Sequence, residues 1–324
     1  MIEELKKIFG SELEVVEESE KEEKEENSLI EMEGTYFRLN SNDKLKKKMF
    51  KYLKEIYDEQ LKEYAIENFV NDVIKFKFEN IDLILNRSEI LGLDFYVKRV
   101  AVLIEIEDMY AMLKNKKDMI IQKFKKRLYM AVKNVLKKED ILSYVGNNKF
   151  LLCTTIADKN IIKKKIINPF IEIFSNLNFE YKIAIGDTYD MPGLEAMGYS
   201  YNDSERYMKL GKKFLKSELV YEYSNVGMYM LIDNVDKIGK IKINNYVKNI
   251  IEYGEENHVD IIRILETVYK NNMVLSKVEK ELDIHRSKIR KMLKEIEKIT
   301  GSNPMKFENA VMLYLALETW KINK

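Results

Sequence analysis

The chain has 324 residues, 46% of them hydrophobic, which is enough for two or three packed domains and excludes disorder over most of its length. Charged residues make up 34%, but 55 Lys and Arg nearly cancel 54 Asp and Glu to a net +1, so any nucleic-acid surface must be local. One cysteine and two histidines exclude a disulfide framework and leave too little for a Cys/His metal site, and 3 Pro with 12 Gly leave little room for a loop-rich all-β fold.

Residues 2–9 read as a short helix ending at Gly10. From Glu12 to Glu26 glutamate dominates, and such a run repels itself and buries little, so a solvated linker is expected there. An acidic arm that mimics DNA or inhibits the protein is the functional alternative for that run. Leu29 to Leu39 reads as a hairpin turning near Gly34, and Asn40-Ser41-Asn42-Asp43 offers a choice of helix caps. From Asp43 to about Phe78 there is no Gly or Pro, and Phe50, Leu53, Tyr57, Leu61 and Tyr64 form a stripe at helical spacing. That stripe packs either on its own domain or on a second copy. A further helix runs from about Asp82 to Gly92.

Arg99 to Glu107 reads as a strand, buried on both faces at first. A basic amphipathic helix follows over about 112–137. Ile141–Val145 and Lys149–Thr154 flank Gly146-Asn147-Asn148 as a hairpin. Cys153 falls in its apolar run, as a core residue rather than a nucleophile. A helix is expected over 158–176, a strand over Tyr181–Ile185, a helix over Gly193–Phe214 interrupted near Gly198, and a last strand over 219–223. The order β-α-β-β-α-β-α-β predicts an α/β layer fold with helices on the faces of one sheet. Residues 225–255 read as helical and connective. A helix near Asp260–Tyr269 then opens an all-α C-terminal module, which a helix over 306–321 closes with Val311, Tyr314, Leu315 and Trp320 as its core face. The sequence shows no internal repeat.

Inside that module, Leu275 to Ile296 reads as a helix-turn-helix. Ser276 is the expected N-cap, Val278 and Leu282 share one face, and Asp283-Ile284-His285 makes the turn with Ile284 as an apolar plug. The second helix buries Ile289, Leu293 and Ile296 and ends at Gly301. It carries Arg286, Lys288, Arg290, Lys291 and Lys294, with no acid between His285 and Lys294. Arg286, Arg290 and Lys294 stack at intervals of four as one cationic stripe, which suits phosphates and the major groove. A solvated surface helix is the plain alternative.

Leu265-Glu266-Thr267-Val268, Asn271-Asn272, Ile284-His285-Arg286, Ile289 and Thr300-Gly301 resemble the C-terminal helix-turn-helix of CdaR and PucR type transcriptional regulators. Ser287 and Lys288 depart from that family's usual Asn-Thr. Glu279 replaces a small alanine, so its longer side chain is expected to turn outward. Upstream, Phe69–Ile74, Glu89–Asp94, Gly193-Leu194-Glu195 and Ser200–Glu205 are similar to the family's central domain, which has the GGDEF cyclase fold without its chemistry. Relatives often carry a sugar-diacid recognition domain before it. The residues before Phe69 are too few and too charged for one, so diacid binding is not carried over.

The cyclase fold raises an enzyme alternative, diguanylate cyclase, which needs carboxylates to hold metal on a triphosphate. In the hairpin Gly146-Asn147-Asn148-Lys149-Phe150 only the first glycine and the phenylalanine match that motif. Asn148 replaces the acid and Lys149 brings a positive charge. Glu105, Glu107 and Asp108 end the first strand without partner carboxylates. No Ser-His-Asp or Cys-His set is available.

The expected domains are an N-terminal segment (1–42), a helical connector (43–95), a degenerate GGDEF-like domain (96–224), a helical linker (225–255) and the helix-turn-helix domain (256–324). The expected function is DNA-binding transcriptional regulation in response to a small-molecule or protein signal. No catalytic residue, cofactor or metal is expected. The expected DNA contacts are His285, Arg286, Ser287, Lys288, Arg290, Lys291 and Lys294, with Arg286 and Ser287 reaching base edges. For His285 a buried structural role stands beside a cap or phosphate contact. The expected partners are double-stranded DNA and a second copy, as a homodimer or higher oligomer. A non-catalytic nucleotide- or metabolite-binding signalling protein is the alternative. Met1-Ile2-Glu3-Glu4-Leu5 has no signal-peptide pattern and no apolar run reaches membrane-spanning length, so a cytoplasmic location is expected.

Overall fold

The computed structural model describes residues 2–16, 29–32, 35–77, 80–107, 109, 117–175, 180–191 and 193–323. Two compact units divide the chain: 1–181 with 187–203, and 182–186 with 204–324.

The first unit begins with α1 (Ile2–Phe9) and a three-stranded antiparallel sheet of β1 (Leu13–Val16), β2 (Leu29–Met32) and β3 (Thr35–Leu39), in the order β1-β3-β2. The hairpin is as expected; its turn at Gly34 lies outside the described residues. β1 corrects the linker reading of 12–26. Leu13 pairs with Leu39 and Val16 with Tyr36, so the apolar residues at the head of the acidic run find a strand edge to cover. Residues 17–28 lie outside the described residues.

α2 (Lys44–Ile74) runs 31 residues without a break. Asp43 caps it, its carboxylate accepting from the Leu45 N–H at 2.7 Å. The expected stripe divides: Phe50 is buried on Leu5, Phe9 and Phe37, Leu53 and Tyr57 lean on that small core, and Leu61 and Tyr64 are exposed. α3 (Ile81–Leu91) closes at Gly92, whose φ of +68° supplies the left-handed cap.

The central sheet contains β4 (Val100–Ile106), β5 (Ile141–Gly146), β6 (Lys149–Thr154), β7 (Tyr181–Ile185) and β8 (Val220–Tyr221), in the order β5-β6-β4-β7-β8. β6 runs antiparallel to both β4 and β5, and β7 parallel to β8. Val100–Ile104 are fully buried, as a strand with helices on both sheet faces must be. Those helices are α4 (Lys117–Val132), α5 (Lys159–Ile162) running through a π-helical turn (Lys163–Ile167) into α6 (Asn168–Ser175), and α7 (Gly193–Phe214). This is the mixed α/β arrangement of sheet and flanking helices that the sequence predicts. Four details differ. Helix α4 ends at Val132, five residues short of 137, and 112–116 lie outside the described residues. The 158–176 helix widens into a π turn. Gly198 does not interrupt α7. The last strand stops at Tyr221, because the Glu222 N–H donates to Asn225 Oδ1 (3.0 Å) and starts a helix there.

The second unit is mostly helical: α8 (Tyr223–Asp233), α9 (Lys237–Glu256), α10 (Ile261–Lys270), α11 (Leu275–Leu282), α12 (Arg286–Thr300) and α13 (Phe307–Asn323). Val247 and Ile250 of α9 enter the same core as Leu265, Val278, Ile289 and Leu317. The core face of α13 is a correction. Ala310, Leu313, Ala316 and Leu317 are buried, Val311 is exposed, and Tyr314, Leu315 and Trp320 are only partly covered. The two alanines let α9 lie close along α13, so the bulky residues move to its edges. No described helix is long and apolar enough to cross a membrane.

Cys153 is fully buried in β6, and that burial pushes its thiol up to about 12. It is a strand core residue, and a thiol-directed alkylating reagent is expected to leave it unmodified until denaturant unfolds the chain. Gly193 packs where a Cβ would come 1.7 Å from the Val97 carbonyl oxygen. Gly193→Ala is therefore expected to cost about 1–3 kcal/mol by overpacking against backbone, read as a lower denaturation midpoint.

Candidate nucleic-acid interface

The chain leaves α10 through a tight turn in which Met273 N–H donates to Val268 C=O (2.8 Å), with Asn272 and Met273 both at positive φ. This turn delivers the chain into α11 at Leu275, two residues earlier than expected. Val274 holds the N-cap position without a side-chain bond, and Ser276 lies inside the first turn, a correction to its predicted capping role. Asn271 and Lys270 each bond the Glu281 carboxylate at 2.8 Å, tying α11 back to α10. The Lys270 bond, with Asn271 beside it, holds Glu281 below the usual carboxylate range.

Asp283, with φ of +52°, ends α11 in the left-handed region and turns the chain sharply. Ile284 then leans on the core as the expected plug, and Val278 of α11 and Ile289 of α12 are completely buried between the two helices. His285 is the N-cap of α12. Its Nδ1 accepts from the Ser287 N–H (3.3 Å) and lies 2.7 Å from Ser287 Oγ. Its Nε2 faces Glu279 Oε1 at 3.7 Å. The imidazole is exposed, so of the two predicted roles the capping one is seen and the buried one is not.

Glu279 is the residue whose role the sequence reading missed. Its side chain does not turn outward into solvent. It is half-buried, and Oε1 accepts the Arg286 N–H at 3.2 Å. A carboxylate thus meets an orphan N–H at the start of α12, where the helix dipole favours negative charge. No local spacing rule announces this contact, because it crosses a turn whose geometry depends on Asp283.

Ile289, Met292, Leu293 and Ile296 turn one face of α12 inward. All six remaining residues of the predicted set on this helix, Arg286, Ser287, Lys288, Arg290, Lys291 and Lys294, are exposed. Arg286, Arg290 and Lys294 line one side of a cleft of about 530 Å³ that also takes in Ser276, Glu297 and Asn303. At 100° per residue, Ser287 and Lys291 point most directly away from the core, and Lys288 lies on the opposite edge from Arg286. Acids return only in the second half of the helix, where Glu295 holds Lys298 at 2.8 Å. The N-terminal half is therefore a continuous cationic surface.

The hairpin that would carry cyclase chemistry is built differently. Asn147 and Asn148 form its two-residue turn at φ of +49° and +62°. Lys149 pairs across the ladder with Glu105, so a base stands opposite the strand-end acid. No group of three or more His, Cys, Asp or Glu residues is placed to hold a metal ion among the described residues, and Asp108 lies outside them.

No protein-family model matches the chain. Two curated relatives do. The carbohydrate diacid regulator of Escherichia coli K12 is 23% identical over 139 residues, covering 43% of this chain and 35% of that one. The proline-responsive transcriptional activator PutR of Bacillus subtilis is 21% identical over 199 residues, covering 59% and 48%. The chain is similar to transcriptional regulators of the CdaR and PucR type. The matched stretch spans less than half the length of either relative. Among solved structures, a regulator of polyketide synthase expression from Bifidobacterium adolescentis aligns over 82% of this chain and 94% of that one, at 14% identity and a TM-score of 0.32. A microbial GGDEF domain described with cyclic di-GMP aligns over 49% of this chain and 91% of that one, at 10% identity and a TM-score of 0.32.

The Glu279 contact has a measurable consequence. Glu279→Ala is expected to lower stability by about 0.5–2 kcal/mol, the range for losing a helix cap, and Glu279→Gln by less because the amide oxygen still accepts. Equal stability of the alanine variant and the parent in urea denaturation would remove the capping role.

Proposed function

We propose that the chain is a transcriptional regulator that binds double-stranded DNA through the N-terminal half of α12, acts in the cytoplasm as a homodimer, and has no catalytic activity. The observation that carries this reading is the acid-free, exposed cationic surface from Arg286 to Lys294 on the second helix of a helix-turn-helix. Its nine residues extend about 13 Å, close to the width of the DNA major groove. Arg286 and Ser287 lead into the groove and read base edges. Arg290, Lys291 and Lys294 meet phosphates and fix register, with Lys288 on the opposite rim. His285 orders the first turn so that Ser287 presents its hydroxyl from a fixed backbone. One such module reads a short half-site, so a pair of chains on a repeated site supplies the affinity.

The similarity to regulators supports the output role. The relatives' names give a carbohydrate diacid and proline as their signals. Those signals are not assigned to this chain, which spans under half of each relative; it answers to a small-molecule or protein signal of its own.

The test is DNA binding as a function of salt. Four bases per protomer on phosphates, Lys288, Arg290, Lys291 and Lys294, give a slope of log affinity against log salt of about −3 to −4 per protomer. Arg286→Ala/Arg290→Ala is expected to abolish specific binding, and Lys291→Ala to weaken binding on all sequences alike. Affinity that does not respond to salt, or is unchanged in the double variant, overturns the proposal.

A further inference from the structure

α2 is poorly covered by its own chain. Between Phe50 and Phe69 none of its residues is buried. Leu45, Met49 and Tyr52 are 74%, 42% and 62% exposed, and Ile56 is half-buried. Their spacing of four, three and four is that of a coiled-coil seam. Charge along the helix is segregated. Lys44, Lys46, Lys47, Lys48, Lys51 and Lys54 occupy the stretch 44–54 without an acid. Glu55, Asp58, Glu59, Glu63 and Glu67 follow over 55–67, with Lys62 the one base. Lys46 is held by Glu12, and Glu63 and Glu67 by Lys125. Lys47, Lys48, Lys51, Glu55, Asp58 and Glu59 make no ion pair within the described residues.

We propose that a second copy of this chain pairs with the Leu45–Ile56 face of α2, antiparallel, about a two-fold axis near Tyr52. Parallel pairing would set lysines beside lysines and acids beside acids. Antiparallel pairing lays each basic half along the second copy's acidic half and leaves the apolar seam between them. With the axis between positions 52 and 53, Met49 faces the second copy's Ile56, and Lys48, on the flank of the seam, lies beside its Glu55. The seam from Leu45 to Gln60 is about 24 Å long. This specifies the dimer that the proposed function calls for. Because it is measured on the full chain without DNA, its failure is distinguishable from a failure of DNA binding.

Two variants, Met49→Cys and Ile56→Cys, are made separately, one with a size tag, then mixed and mildly oxidised; buried Cys153 gives no background. The mixed 49–56 disulfide is expected to exceed both homodimeric products. A parallel dimer gives the reverse, with 49–49 and 56–56 products, and a face covered by the chain's own residues gives no cross-link; either result overturns the proposal. Independently, Lys48→Glu and Glu55→Lys are each expected to weaken dimerisation about fivefold in sedimentation, from two symmetric ion pairs, and the combined swap to restore it. Dimerisation unaffected by the single swaps, or not restored by the double one, also overturns it.

Discussion

Cationic side chains at the N-terminus of a helix oppose its dipole, and α12 begins with Arg286 and Lys288 in its first turn. Each such placement costs about 0.3–1 kcal/mol, so the helix needs help to start where it does. Glu279 and His285 give that help by taking the N–H groups of Arg286 and Ser287. The contact forms only because Asp283 adopts a left-handed conformation and Val278 locks against Ile289, which together bring α11 and α12 into register. A locally unfavourable charge pattern, supported from outside the helix, is what a surface built for an anion looks like.

A near-zero net charge therefore conceals a strongly patterned molecule. Positive charge concentrates at the start of α12 and the start of α2, and the acids of each helix follow further along it. The central sheet shows the opposite treatment. There a single acid–base pair, Glu105 across from Lys149, occupies the strand ends, and Arg99 is buried with its guanidinium bonded to the carbonyls of Asp94, Val97 and Glu139. Burial is what pulls Arg99 below the usual arginine value, and the charge is retained through those carbonyl dipoles.

Much of this was legible in the sequence. Continuous apolar runs marked β4 and β6, the Asn-Asn pair marked the hairpin of β5 and β6, Gly92 and Gly301 marked helix ends, and the 4-3 spacing of Ile289, Leu293 and Ile296 marked the buried face of α12. All seven predicted contact residues stand exposed on one module. What was not legible depended on contacts distant in the chain. Leu13–Val16 needed β3 to become a strand. The core face of α13 needed α9, because small alanines are chosen where a neighbour comes close. Ser276 has every property of an N-cap, but the turn after α10 starts the helix two residues too early. Glu279 reads as an intruder in a family pattern until the turn brings its carboxylate back to a helix end.

The uncovered middle of α2 also bears on dynamics. Eighteen consecutive residues, 51–68, have no fully buried side chain, so among the described residues only half-buried contacts such as those of Leu53 and Tyr57, and the Lys125 ion pairs to Glu63 and Glu67, help hold their backbone hydrogen bonds shut. Helix alone is marginal at that length in water. This segment is then the place where the first unit opens locally, well below the free energy of global unfolding, while the buried ends at Phe50 and Phe69 stay fixed. Amide exchange in its centre becomes a direct gauge of whatever covers it, independent of any activity of the protein.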